Sequence, residues 1–433
     1  MPHRLNSSEA GFAKAFARLL SEKREIASDV SDVVADIIAD VRARGDAAVL
    51  ELTDRFDRVA YTADRLRVTK AEIDAAWAEC EPRTLDALKF AADRIAAFHA
   101  RQKPADDRFT DASGVELGHR WTAIAAVGLY VPGGLAAYPS SVLMNALPAK
   151  IAGVPRVAMT VPTPDGVLNP LVLAAARISG IDEIYRVGGA QAVAALAYGT
   201  ATIAPVDKIV GPGNAYVATA KRQVFGDVGI DTIAGPSEIL VVADAENDPA
   251  WIAADLLSQA EHDTAAQSIL ITDDAAFAEA IATAVDGQLA AAPDSDIAAE
   301  SWRDHGALIV VDDLPGEAPG LIDAIAPEHL ELAVTAPEPL AARVRQAGAI
   351  FLGRHTPEAV GDYVGGPNHV LPTARRARFA SGLSVLDFVK RTSLIRCDAD
   401  ALAAIGPAAI ALAEAEGLPA HARSIAIRLN RRD

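Results

Sequence analysis

The sequence predicts an α/β protein: two units of mostly parallel sheet and helix, with small helical segments at either end. Three observations carry this. Short β-branched runs recur from Ala123 to Asp313: AIAAVGLYV, RVAMTVP, EIYRVGG, KIVGPG, EILVVAD, SILIT and ALIVVDD. Helical segments separate most of them, which is the pattern of parallel βα units. The runs fall into two successive sets, and the stretches before and after them have helical period.

At the start, MPHRLNSSEAGFAKAFARLL has no apolar core of the kind a secretory signal needs. Ser7 or Ser8 reads as the N-cap of a short amphipathic helix. Residues 27 to 100 read as helical, for example VSDVVADIIADVRARGDAAVLELTDRF and LDALKFAADRIAAFHARQ. From Trp121 to Ala149 no residue is charged, a length that could span a bilayer. Pro132, Gly133, Gly134, Pro139, Ser140, Ser141 and Asn145 would break such a helix. The stretch reads instead as a buried strand, a glycine-rich turn and a buried helix. After about residue 383 the chain looks helical again, with breaks at Gly406, Gly417 and Pro419.

The chain has 433 residues, more than one core usually holds. Apolar residues make up 51%, so the chain is globular. A net charge of −18 argues against nucleic-acid and anionic-membrane binding, which need a basic face. Cys80 and Cys397 stand far apart, which excludes a disulfide framework and cysteine-based zinc sites and points to a reducing compartment, the cytoplasm.

Four strand-to-helix turns carry glycine: VPGG (131–134), VGGAQ (187–191), VGPGN (210–214) and AGPSE (234–238). Such turns at the carboxyl ends of strands let backbone N–H groups approach a phosphate or ribose. Each alone is a tight turn sooner than a nucleotide site; together they point to a nucleotide-type ligand. None is a full GxGxxG, since Tyr216 replaces the third glycine in GPGNAY. Asp231 stands where a ribose-binding acid would be, and reads as a coincidence.

The polar residues raise a second question. In DLLSQAEHD, Gln259 and His262 are helix neighbours at i, i+3, and Asp255 shares their face. Two ligands do not hold a metal, so any further ones lie elsewhere; a set of Gln, His and Asp suits an ion such as zinc. In APEHLEL, Pro327 stops any helix and Glu328 with His329 stand where a loop enters a strand, able to form an acid/base pair. Asp362 precedes a Gly-Gly-Pro turn, with His369 seven residues on; Glu416 and His421 bracket a helix break. Read singly, each of these is an ordinary loop or cap residue.

The blocks YVPGGLAAYPSSVLMNALPAKIAGV, VGGAQAVAALAYGT, VDKIVGPGNAYVATAKRQVFG, IAGPSEILVVAD, DLLSQAEHD, APEHLEL and VGDYVGGPNHVLPT together resemble histidinol dehydrogenase. The resemblance runs from about residue 25 to the C-terminus, in order. It implies two incomplete Rossmann-like α/β domains with mostly parallel sheets, plus small helical N- and C-terminal segments. The expected boundaries are an N-terminal arm over 1–25, a discontinuous first domain over 26–129 and 240–383, a nested second domain over 130–239, and a C-terminal segment over 384–433 that contacts a partner subunit. The resemblance also implies a homodimer with a shared active site, one Zn2+ per subunit, and NAD. The activity implied is oxidation of L-histidinol to L-histidine through a bound aldehyde.

Residue by residue, it makes Gln259, His262 and Asp362 zinc ligands, with His421 donated from the other subunit. Glu328 and His329 become the catalytic pair, with His329 taking the alcohol proton and Glu328 activating water. Ser237 and Glu416 join Gln259, His262, His329, Asp362 and His421 in binding substrate; Tyr130, Gln191 and Asn214 contact NAD. Asp255 is outside the family's set, which leaves it a structural carboxylate, and His369 reads as structural too. Rival readings are a relative oxidising another small amino or sulfonated alcohol, a zinc hydrolase, and a non-catalytic binding protein.

Overall fold

The computed structural model describes residues 2–21, 30–133, 138–233, 235–293 and 295–430. Its strands, in chain order, are β1 (His3–Asn6), β2 (Asp107–Thr110), β3 (Glu116–Ala123), β4 (Ala126–Tyr130), β5 (Arg156–Thr160), β6 (Glu183–Tyr185), β7 (Lys208–Val210), β8 (Gly229–Ile230), β9 (Glu238–Ala243), β10 (Gln267–Thr272), β11 (Ala307–Val310), β12 (His329–Ala333), β13 (Ala349–Leu352) and β14 (Val389–Arg396). They form three sheets: β1-β11-β10-β9-β12-β13, β6-β5-β4-β7-β8, and β14-β3-β2.

The first two sheets are parallel throughout. Numbered from its own first strand, each has the order 3-2-1-4-5, five of the six strands of the Rossmann arrangement; the first sheet adds β1 outside β11. The expected pair of incomplete Rossmann-like units is therefore present. The sequence shows why: β9 and β10, EILVVA and QSILIT, are buried at every position, as strands covered on both faces must be. Along β9, Ile239, Val241 and Ala243 face one core cluster, Leu240 and Val242 the other. Two further clusters flank the second sheet. No cluster of described residues joins strands of both parallel sheets.

In the uncharged stretch residues 121–123 end β3, the buried β4 follows, and past residues 134–137, which lie outside the described ones, comes the largely buried Pro139–Ala152 helix. Among the described residues no helix is long and apolar enough to cross a membrane.

Several expectations need correction. The N-terminal arm is not only helical: His3–Asn6 pairs with β11, because that edge offers free ladder groups. Neither Ser7 nor Ser8 caps the first helix, which spans Phe12–Ser21; Ser8 instead donates its N–H and hydroxyl to Asn6 Oδ1. Residues 31–100, expected to join 240–383, pack chiefly on the second sheet's unit, and 26–29 lie outside the described residues. The helices Ser31–Arg44, Lys70–Glu79 and Pro82–Ala100 pack on helices of the second sheet's unit, with Val34, Ile37, Leu88 and Ile95 in its two clusters. The C-terminal segment begins with a short 3-10 turn over Val385–Phe388 and a strand, β14, which pairs antiparallel with β3, and only then come the helices Ala399–Ala415 and Pro419–Ala426.

Candidate active site between the two units

β8 and β9 are joined by residues 231–237, so the chain passes from the carboxyl end of the second sheet to the amino end of the first. Three of the four glycine turns follow β4, β6 and β7, at that carboxyl end. They are packed too closely for side chains. A Cβ on Gly133 or Gly188 would lie 2.4 or 2.3 Å from Pro162, and one on Gly211, at φ +111°, 2.1 Å from the Tyr130 carbonyl oxygen. The fourth turn differs from its expected place: AGPSE leads into β9 instead of following a strand's carboxyl end into a helix.

The three residues assigned to NAD sit in these turns. The Tyr130 hydroxyl accepts the Gly189 N–H at 3.1 Å, and burial pushes its pKa up to about 12. Gln191 is buried and its Oε1 has no hydrogen-bond partner. Asn214 caps the Ala215–Val224 helix, its Oδ1 accepting the N–H groups of Tyr216 and Val217. Asp231 is fully occupied elsewhere: it accepts the Gly211 N–H at 2.7 Å and pairs with Lys221 in a buried ion pair. Lys221 Nζ also donates to the carbonyls of Gly211 and Thr232, at 2.9 and 3.0 Å. Together they clamp the VGPGN turn, so the ribose-acid spacing of Asp231 is indeed a coincidence.

Glu328 and His329 stand at the start of β12. Ala326, left-handed at φ 49°, and Pro327 end the Leu314–Ile325 helix just before them. Both side chains are fixed to the main chain of Glu238, which follows Ser237. Glu328 Oε2 accepts the Glu238 N–H at 3.0 Å, and His329 Nδ1 lies 2.9 Å from the Glu238 carbonyl oxygen. A carbonyl only accepts, so Nδ1 carries the hydrogen and Nε2 keeps a lone pair. That Nε2 has no hydrogen-bond partner and lies 3.5 Å from Glu358 Oε1. Burial lowers the His329 pKa to about 4, with the Asp362 charge opposing, so the imidazole is neutral. Burial, then the Glu238 carboxylate, raise Glu328 well above the usual carboxylate range. The Glu328–His329 contact of 3.7 Å is accordingly not a charged pair.

Asp362 lies on the short Glu358–Tyr363 helix, one turn after Glu358. One ligand atom each of His329, Glu358 and Asp362 lies within 4.8 Å of the others, close enough to share a cation. Glu358 escaped the sequence reading. The EAVGD spacing, i to i+4, was the signal that could have found it. Behind Asp362, His369 holds the Asp362 carbonyl through Nδ1 at 3.1 Å and meets Ser141 Oγ through Nε2 at 3.4 Å. Asn368 donates to the Met144 carbonyl at 2.6 Å. These bonds tie the Asp362 loop to the helix that follows the VPGG turn. A cavity of about 400 Å³ opens here, lined by Phe98, His329, Asp362, Asn368, His369 and Leu383 among others.

Gln259 is buried at the end of the Pro249–Ala260 helix and its Oε1 has no partner. His262, two residues past that helix, is exposed. Asp255 is half-buried beside Glu331, whose pKa is pushed up to about 9 by burial and then by the Asp255 charge. Ser237 is half-buried, its carbonyl accepting the Gln267 N–H at 3.0 Å. Glu416 and His421 are not brought in by their own chain. Both are exposed, on a C-terminal helical hairpin with a small apolar cluster of its own.

What this junction can do is move a proton at His329 beside a ligand lying over the glycine turns, which is the work of an oxidoreductase built on doubly wound α/β units. Comparison with known proteins narrows the class. The model of the histidinol dehydrogenase family matches residues 20–429, and the chain belongs to that family. It is 68% identical to the histidinol dehydrogenase of Rhodospirillum rubrum over 431 residues, covering 100% of this chain and 99% of that one. The Bradyrhizobium diazoefficiens histidinol dehydrogenase is 64% identical, covering 99% of this chain and 100% of that one. The crystal structure of histidinol dehydrogenase from Elizabethkingia anophelis superposes with a TM-score of 0.94 at 35% identity, over 99% of this chain and 98% of that one.

Proposed function

We propose that the chain oxidises L-histidinol to L-histidine through an enzyme-held aldehyde, with one zinc per subunit and two NAD per turnover. One observation carries the reading above all: the unpartnered Nε2 of His329 lies 3.5 Å from Glu358, where the carboxylate of Asp362 also converges. The residues fit both groups. The buried, unpartnered Oε1 of Gln259 and the carboxylate of Asp362 suit a borderline metal ion. The unpartnered Oε1 of Gln191 and turns that exclude any Cβ suit a dinucleotide. When bound, zinc supplies a fixed positive charge that orients the nitrogens of the substrate, and NAD accepts hydride.

Gln259, His262 and Asp362 hold the metal, completed by His421 of the partner subunit. Ser237 and the partner subunit's Glu416 bind the substrate's polar groups. His329 Nε2 takes the hydroxyl proton as the first hydride leaves carbon. Glu328 then takes a proton from water as the water oxygen bonds to the aldehyde carbon. A carboxylate raised by burial is a stronger proton acceptor once ionised, which suits that step. His329 returns its proton to the former carbonyl oxygen as water adds, and then accepts the hydrate's proton as the second hydride leaves. Tyr130, Gln191 and Asn214 position NAD on the other sheet. The reading places the chain in the cytoplasm, consistent with the free thiols of Cys80 and Cys397.

The deciding experiment counts NADH formed per L-histidinol consumed, with zinc-loaded and chelated protein. We expect two, lost on chelation. One NADH with released aldehyde would refute the role of Glu328, and none would point to a different alcohol. The shared site has its own test. His421→Ala and Glu328→Ala subunits, each inactive alone, should recover activity when mixed, because a heterodimer contains one intact site. Verified heterodimers without activity would place His421 outside the site.

A further inference from the structure

A doubly wound unit that binds a dinucleotide uses two features of its first two strands. A glycine turn after the first strand takes the pyrophosphate, and an acid at the carboxyl end of the second takes a ribose hydroxyl. The second sheet has the turn, VPGG after β4. Its second strand, β5, runs out as Thr160, Val161, Pro162 and Thr163, with no acid. Asp165, the next acid along, is held by Arg58, whose Nε and Nη2 donate to its two oxygens at 2.8 and 2.6 Å.

A carboxylate reaches the tip of β5 from another part of the chain. Asp57 is the last residue of the Asp46–Asp57 helix, and its Oδ2 accepts the Thr163 N–H at 2.8 Å. Pro162, just before Thr163, is the residue on which the turns after β4 and β6 close through Gly133 and Gly188. Asp57 therefore stands against a wall that both turns share. It is 6% exposed, yet among the described residues Oδ2 accepts a hydrogen bond and Oδ1 accepts none. Clamping the loop needs one oxygen only, and Tyr61 adds to the clamp, its hydroxyl 3.1 Å from Thr163 Oγ1. A buried carboxylate oxygen without a donor is costly, so the open one calls for a donor from outside the chain. A ribose hydroxyl is such a donor. A 2′-phosphate is an anion with nothing to donate, and Arg58, the neighbouring cation, is already taken by Asp165.

We propose that Asp57 selects NAD over NADP, given the NAD reading above: Oδ1 accepts the 2′-hydroxyl of the adenosine ribose while Oδ2 keeps the Thr163 N–H. Substitution separates the two jobs. Asn keeps an oxygen for the Thr163 N–H and removes the charge. Ala removes both.

The test is isothermal titration calorimetry of the zinc-loaded parent, Asp57→Asn and Asp57→Ala with three ligands: NAD, NADP, and NAD lacking the adenosine 2′-hydroxyl. Melting curves without nucleotide report on the loop. The parent should bind the deoxy ligand roughly 10–100-fold more weakly than NAD, the worth of a hydrogen bond to a charged group, and NADP more weakly still. Asp57→Asn should melt close to the parent, while NADP improves relative to NAD by roughly 10-fold or more as the like charge is removed. In Asp57→Ala, NAD and the deoxy ligand should bind alike. If that variant does not fold, the parent and Asp57→Asn still decide. A parent that binds NAD and the deoxy ligand equally would overturn the proposal. So would an NADP-to-NAD ratio unchanged in Asp57→Asn, or an Asp57→Ala that weakens all three ligands by one factor, as a loop clamp alone would. Should the parent bind none of the three, the NAD reading itself fails and the selection by Asp57 falls with it.

Discussion

Glu328→Gln stops the reaction halfway. The amide oxygen can still accept the Glu238 N–H that Glu328 Oε2 accepts at 3.0 Å, so the loop before β12 keeps its shape. The Nδ1–H of His329 still meets the Glu238 carbonyl, so the alcohol proton still has an acceptor at Nε2. What disappears is the proton acceptor for water. Oxidation of added histidinaldehyde should fall by ~10²–10⁴-fold, the usual worth of a positioned general base. The first oxidation, followed as single-turnover NADH formation from histidinol, should stay within about an order of magnitude of the parent, since that step does not draw on Glu328. Zinc content serves as the control for intact geometry. Equal losses in both half-reactions would remove Glu328 from its water-activating role.

Lys221→Met should be the most costly single change away from the chemistry. Lys221 and Asp231 each have 3% side-chain exposure, and removing the ammonium leaves a buried carboxylate with the Gly211 N–H as its hydrogen-bond donor. Breaking such a pair costs about 3–5 kcal/mol. The loss should appear as a lower denaturant midpoint with little change in slope. NAD binding should weaken as well, because the same clamp holds the VGPGN turn that ends at Asn214. The double variant Lys221→Met, Asp231→Leu should regain much of the stability, since no charge is then left buried. Parent-like unfolding of Lys221→Met would mean the clamp carries no net stability.

The sequence was most legible where burial leaves a pattern. Every interior strand of the two parallel sheets except β12 coincides with one of the β-branched runs, because a strand covered on both faces is mostly apolar; β12, HLELA, departs by burying His329 and Glu331. The exposed strands left no such trace. HRLN has no apolar period and is a strand only because β11 offers an edge. β2 is exposed along its whole length, and β14 and β3 have no fully buried position, so nothing marks their register. The packing of residues 31–100 on the second sheet is a tertiary choice that period cannot reveal. The site shows the same division. Spacing put Gln259, His262 and Asp255 on one helix face, but a face does not say what stands opposite it. For Asp255 that is Glu331, and only the fold supplies it. Glu358 went unnoticed because its partners, His329 and Asp362, converge from two separate elements.

The edge strand sets an order of assembly. β1 pairs with β11 in the register His3↔Ala307, a separation of 307 − 3 = 304 residues. On the ribosome, which delivers the N-terminal part first, β1 exists long before anything it can pair with. All of β2 to β10 is made in the interval, including the whole sheet that carries the three glycine turns. Most of that sheet's two cores is in hand by then, one of them lacking Leu383, Val385 and Phe388. The other sheet must wait for β11 and then β12 before it has either an outer edge or the Glu328–His329 pair. The half with the turns can thus take shape while the half with the catalytic pair is still a row of unpaired strands.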